Sequence, residues 1–152
     1  MWHRSGRIAA GLGATALILA GAHATRRVHA QRGAVIGSRV PALDAPVPGV
    51  WIFARADCGH CRVHLAFLGS AVNAYPDTLR PRLVRRIVVV GDVQPPCAGV
   101  RVLPDSLRRM LRIRRSPETW FVDAEGRVSG SWLGARGARA WQSALSEMAE
   151  LP

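Results

Sequence analysis

Apolar positions along the chain fall into blocks, and the spacing inside each block predicts an element. Val50-Trp51-Ile52-Phe53-Ala54 is a short unbroken run of β-formers, the pattern of a buried strand. From Cys61 to Tyr75 the apolar residues Val63, Leu65, Ala66, Leu68 and Val72 recur at helical spacing, and Pro76 closes the helix. Ile87 to Val90 predicts a second strand, stopped by Gly91-Asp92. A Pro-rich loop with Pro95, Pro96 and Cys97 follows. Pro104-Asp105 opens a second helix, with Leu107, Met110 and Leu111 on one face and Arg108, Arg109 and Arg112 on the other. Thr119 to Val122 predicts a third strand and Val128 to Leu133 a fourth, joined by a turn at Asp123-Ala124-Glu125-Gly126. Ala138 to Ala149 closes the chain as a helix with Trp141, Leu145 and Met148 on one side.

That order constrains the topology. A strand, a helix and a strand in succession favour a right-handed crossover and a parallel pair. The closing hairpin adds antiparallel strands. The expectation is an α/β domain over residues 50–152, a four-stranded mixed sheet with helices on both faces. Trp51, Trp120, Trp132 and Trp141 are expected to pack in its core.

Upstream of the domain the pattern changes. Residues 8–24 carry no charge, Arg4 and Arg7 precede them, and Arg26 and Arg27 follow. The run ends on Ala22-His23-Ala24, a small-x-small sequence of the kind found at export cleavage sites. Residues 1–24 therefore read as a cleaved signal peptide or as an uncleaved membrane anchor. Both readings place the rest of the chain outside the cytoplasm, in the periplasm or exported, with the inner membrane as the anchoring surface in the second. Residues 25–49, with Pro41, Pro46 and Pro48, read as a linker holding a short extended piece near Ala34–Ile36.

Composition narrows the class. A chain of 152 residues with 49% hydrophobic and 20% charged residues is globular and long enough for one domain. Three cysteines are too few for a disulfide-built scaffold. The formal charge is +11 and every basic side chain is Arg. No zinc-finger spacing or aromatic RNA-binding signature accompanies that charge, so nucleic acid is not an expected ligand. The arginines between Arg108 and Arg115 read as a solvated helix face, with a docking patch for an acidic partner or lipid head groups as the alternative.

The chemistry concentrates in Cys58-Gly59-His60-Cys61, directly after a buried strand and at the start of a helix. The attacking species in disulfide exchange is the thiolate, and a free Cys has a pKa near ~8.5. A helix N-terminus presents unpaired backbone N–H groups and the positive end of the dipole, which favour that thiolate. Cys61 lies one turn on, within reach of the Cys58 sulfur. One Cys attacks a substrate disulfide and the other resolves the mixed disulfide. His60 can place positive charge beside Cys58, and so can Arg55 and Arg62, while Asp57 acts in the opposite sense.

This arrangement resembles the thioredoxin superfamily over roughly Val50 to Met148. The strand-CxxC-helix opening, the element order and the proline of Ser116-Pro117-Glu118-Thr119 carry the likeness. The tetrapeptide resembles the active sites of protein disulfide isomerases. The exported layout and the segment from Pro117 to Val128 look like thioredoxin-like proteins of the bacterial envelope. The resemblance implies a thiol–disulfide oxidoreductase with Cys58 as nucleophile and Cys61 as resolving thiol. Pro117 would be cis and, with Ser116, would shape the groove for a substrate peptide, with Trp120 at its border. It also implies protein substrates bearing thiols or disulfides, a redox partner protein and no bound cofactor.

The chain departs from that pattern in three places. Asp57 stands where Trp commonly precedes the first Cys, Ile52 where thioredoxins bury an acid, and His64 where the envelope reductases often carry Glu. His64 or a water is then the candidate proton acceptor. A copper(I) module using the two thiolates, or an envelope-assembly module on the same scaffold, is the alternative. No tetrahedral zinc set is complete, and Arg62 after Cys61 rules out the CxxCH of haem attachment. Cys97 is the odd cysteine, either a free thiol or a partner in a regulatory or intermolecular disulfide.

Overall fold

The computed structural model of the protein describes residues 36–41 and 48–150. Strands β1 (Gly49–Phe53), β2 (Ile87–Val90), β3 (Arg101–Leu103), β4 (Glu118–Val122) and β5 (Val128–Leu133) form one sheet in the order β3-β2-β1-β4-β5. The β1–β2 and β2–β3 pairs are parallel, and the β1–β4 and β4–β5 pairs are antiparallel. The mixed sheet thus has five strands, not the expected four. The additional strand, β3, is three residues long and sits at an edge, and Arg101 and Val102 are exposed. A strand that short, with its side chains in solvent, leaves no apolar run to read.

Helices α1 (Gly59–Asn73), α2 (Arg80–Val84), α3 (Asp105–Met110) and α4 (Ala138–Glu150) cover both faces. Helix α2 is five residues long with a proline in its first turn, and the sequence reading passed over it. Leu65, Leu68 and Val72 of α1 and Trp141, Leu145 and Met148 of α4 pack with Val50, Ile52, Ile87 and Val89 on one face. Leu107 of α3 and Ile113 pack with Trp51, Phe53, Val88, Val90 and Trp120 on the other. The alternation of these β1 and β2 side chains between two cores is the period of two of a strand buried on both faces.

Several apolar side chains lie outside that core, among them two that the helical spacing placed inside. Val63, at 49% exposed, and Met110, at 63%, face solvent instead of the helix interiors expected for them. Leu65 and Leu68 fill the inner face of α1, and α3 is too short to turn a second apolar row inward. Gly91 is needed where β2 ends. Its φ is +146°, and a Cβ there would collide with the Ala54 carbonyl at the end of β1.

Part of the linker is tied to the domain. Gly37 N–H donates to Val128 O at 2.8 Å, Val128 N–H to Ser38 O at 2.9 Å, and Val40 N–H to Gly126 O at 2.9 Å. Arg39 bridges Arg127, and of the extended piece expected near Ala34–Ile36 the first two residues lie outside the described residues. The export or anchor segment at residues 1–24 lies outside the described residues. Among the described residues no helix is long and apolar enough to cross a membrane.

Candidate active site

Strand β1 delivers the chain to one end of the sheet, and the turn after it places Cys58 at the N-cap of α1. Cys58 has extended φ and ψ of −104° and 107°, and its Sγ accepts from the Cys61 N–H at 3.2 Å. The Cys58 carbonyl accepts from Cys61 N–H at 3.1 Å and Arg62 N–H at 3.2 Å, closing the first turn. Cys58 and Cys61 are disulfide-paired with their Cα atoms 5.2 Å apart. Cys58 is half-buried and Cys61 is fully buried, so one sulfur of the pair is the reachable one.

The loop before β4 meets the pair from the side. The Ser116–Pro117 peptide is cis. Cys58 Sγ lies 3.6 Å from the Ser116 carbonyl oxygen, a contact through which the free thiol would donate. Pro117 is buried, and the Ser116 hydroxyl is buried with no hydrogen-bond partner among the described residues. The structure therefore brings Cys58, Cys61, Ser116 and Pro117 together. His60 is exposed on the first turn of α1. Trp120 is 6% exposed, and its ring packs on Phe53 with centroids 4.5 Å apart, so it belongs to the core beneath the loop and offers a substrate little surface.

The charges around the pair sort into paired and unpaired. Arg55 Nε donates to Asp57 Oδ1 at 2.9 Å, and a second guanidinium nitrogen donates to Oδ2. The hydrogen bond from Arg55 holds the Asp57 carboxyl below its ordinary range. Arg55 and Asp57 thus cancel each other, and neither acts on Cys58 in the sense expected for it alone. The Arg62 guanidinium lies over the first turn, 3.9 Å from where a Cβ on Gly59 would sit. It adds a cation to the positive end of α1.

His64 is fully buried one turn below Cys61. Its Nδ1 accepts from the Arg136 backbone N–H at 3.0 Å, which leaves the ring proton on Nε2, facing Thr119 Oγ1 at 3.0 Å. Burial lowers its pKa to about 4, so the ring is neutral at neutral pH. Both ring nitrogens are engaged, so His64 acts as a tie between α1, β4 and the segment before α4. A free proton acceptor is not what this geometry provides. The sequence reading missed Thr119, Arg136 and Glu118. Glu118 is 2% exposed, with its Oε1 accepting from Trp120 Nε1 at 2.6 Å. Two polar residues opening a strand buried on both faces were a legible signal, because each needs a partner inside.

Beside the pair runs a groove of about 880 Å³, lined in part by Ala56, Arg62, Asp92, Pro96 and Val102. Its far wall, the Pro95-Pro96 loop, is seated on α1 at Gly69, where a Cβ would strike the Pro96 carbonyl. Cys97 is a free, half-buried thiol in that loop, and burial raises its pKa. Among the described residues no group of three or more His, Cys, Asp or Glu is placed to hold a metal ion.

No family model matches the chain, and no curated protein matches it. Solved structures do. A protein assigned as thiol:disulfide interchange protein DsbE from Chlorobium tepidum is 17% identical with a TM-score of 0.53, over 76% of this chain and 95% of that one. A thio-disulfide isomerase from Thermus thermophilus is 16% identical with a TM-score of 0.51, over 75% and 96%. At such identities the likeness establishes the fold, which is thioredoxin-like, with a CxxC pair at the start of its first helix.

Proposed function

We propose that this chain is a thiol–disulfide oxidoreductase of the cell envelope acting on protein thiols and disulfides through Cys58 and Cys61. The observation that carries the reading is the asymmetry of the pair. Cys58 caps the helix, half-buried against the Ser116 carbonyl, while Cys61 is fully buried behind it. The reachable sulfur is the one that accepts a helix N–H, from Cys61, as a nucleophile and good leaving group requires.

In the reduced protein Cys58 attacks a substrate disulfide and displaces one sulfur as a thiolate. Cys61 then attacks Cys58 Sγ, the mixed disulfide breaks, and the second substrate thiol leaves. The α1 N-terminus and Arg62 stabilise the Cys58 thiolate, and His60 is exposed on the same turn. Ser116 and Pro117 shape the surface on which an extended substrate lies. The neighbours of similar fold, an interchange protein and an isomerase by description, agree with this class of chemistry. The uncharged segment 8–24 supports an export signal or anchor. No observation favours the copper(I) or assembly-module alternative.

The test is turnover of a protein disulfide by the reduced chain. Cys58→Ser is expected to abolish it, and Cys61→Ser to accumulate mixed disulfides visible by mass. Full turnover in Cys58→Ser would sink the assignment. The reduction potential sets the direction. A value near about −120 to −180 mV identifies an oxidant or isomerase, and one near about −270 mV a reductase.

A further inference from the structure

We infer that the redox site selects an acidic polypeptide segment, a substrate whose cysteines are flanked by Asp or Glu. The inference rests on the redox reading above and adds the class of substrate.

Three loops converge at the end of the sheet that carries Cys58, and each brings arginine. The loop after β1 and the first turn of α1 bring Arg55 and Arg62. The segment before β4 brings Arg114 and Arg115, next to the Ser116 carbonyl that Cys58 touches. The segment after β5 brings Arg136. It is held there by Gly134 N–H donating to Pro117 O at 2.9 Å and by Arg136 N–H donating to His64 Nδ1 at 3.0 Å. The Arg136 guanidinium lies 5.8 Å from the Trp132 ring centroid.

The carboxylates nearby are already engaged. Asp57 is paired with Arg55. Asp105 is paired with Arg108 at 2.6 Å and Arg109 at 3.0 Å. Glu118 is buried and bound to Trp120. Asp92, in the groove beside Arg62, is exposed and is the carboxylate of this end without an ion pair among the described residues. Arg62, Arg114, Arg115 and Arg136 are exposed and have no carboxylate partner among the described residues. Arg62 sits on the first turn of α1, Arg114 and Arg115 directly precede Ser116, and the Arg136 backbone is tied to His64, so all four arginines lie on the segments that meet at Cys58. A concentrated charge of one sign raises the encounter rate of an oppositely charged partner and penalises a like-charged one.

The step itself balances. The full chain is first reduced with dithiothreitol. Cys58 thiolate attacks one sulfur of the peptide disulfide, the S–S bond breaks, and the leaving thiolate takes a proton from solvent. Cys61 loses its proton and attacks Cys58 Sγ, which forms the Cys58–Cys61 disulfide and releases the second peptide thiol. The peptide gains the two electrons that the protein loses.

The experiment compares second-order rates of the reduced full chain with two peptides that differ only in flanking the same disulfide with Asp/Glu or with Lys. Neutral bis(2-hydroxyethyl) disulfide serves as the reference. At low ionic strength the acidic peptide is expected to react at least about 10-fold faster than the Lys peptide. The ratio should fall toward unity near 1 M salt, where the Debye length is about 3 Å. In the variant Arg114→Gln/Arg115→Gln/Arg136→Gln the ratio should already be near unity at low salt. Equal rates for the two peptides in the wild type, or an unchanged ratio in the variant, overturn the inference while leaving the redox reading intact. No reaction with the peptides or the neutral disulfide overturns both.

Discussion

Glu118 and Thr119 are neighbours in the chain, both are buried, and they face opposite sides of one sheet. Thr119 pairs across β1 with Ile52 on the α1–α4 side, and Glu118 pairs with Phe53 on the α3 side. The two faces accommodate a polar group differently. Thr119 enters a neutral network that reaches out of its strand, through His64 on α1 to the backbone of Arg136. Glu118 is bound by Trp120, two residues on in the same strand. The first network joins three separate segments around the redox pair, and the Glu118–Trp120 bond lies within one strand. Losing a member of the first should therefore be felt across the domain, and losing the Trp120 bond should be felt first in β4.

The strongest way to break the comparison is His64→Ala. It empties a fully buried site and orphans both the Thr119 hydroxyl and the Arg136 N–H. Cavity and unsatisfied-group terms together predict a loss of about 4 kcal/mol. Urea unfolding monitored by circular dichroism measures it. A loss under about 1 kcal/mol would show that the network holds nothing together.

Acid sharpens the same point without a mutation. Burial lowers the His64 pKa from the ordinary 6.5 to about 4, so between those values the unfolded chain binds a proton that the folded chain refuses. Stability then rises with pH across this window. The contribution is intact above pH 6.5, erodes as the pH falls, and is fully lost below about 4. The shift corresponds to roughly 3 kcal/mol. Unfolding midpoints between pH 7 and 4.5 in wild type and His64→Leu check it, because the variant should lose this part of the slope.

Thr119→Val removes the acceptor for His64 Nε2–H while keeping the shape of the side chain. An unsatisfied buried donor predicts a loss of about 2 kcal/mol. Thr119→Ser keeps the hydroxyl and should cost less. The reverse order would mean that the methyl group, not the hydrogen bond, secures β4.

Much of this was legible before any coordinates, for a physical reason. β1 and β2 are buried on both faces, so their sequences are apolar and unbroken, and the CxxC after β1 falls at a helix N-terminus. β3 sits at an edge with its side chains in solvent, so nothing in Arg101-Val102-Leu103 announces a strand. His64 drew notice only as a departure at its position. Its role depends on Thr119, 55 residues away, and Arg136, 72 residues away, and no local pattern encodes a contact at that separation. Trp120 shows the same limit. Its sequence position beside Pro117 put it near the substrate surface, but strand parity turned it onto Phe53.

The mildest change tests the local face. Glu118→Gln keeps an amide oxygen where Oε1 accepts from Trp120 Nε1, so the brace survives with a neutral acceptor in place of a carboxylate. Hydrogen bonds to charged groups are worth more than neutral ones by about 1 kcal/mol, which sets the expected loss. The change in amide hydrogen exchange should be largest in β4 around Trp120 and should leave the His64–Arg136 tie intact. Exchange that also quickens around His64 and Arg136 would mean that the two faces are coupled through the Glu118–Thr119 backbone. The contrast between a network that spans segments and one that braces a strand would then fail.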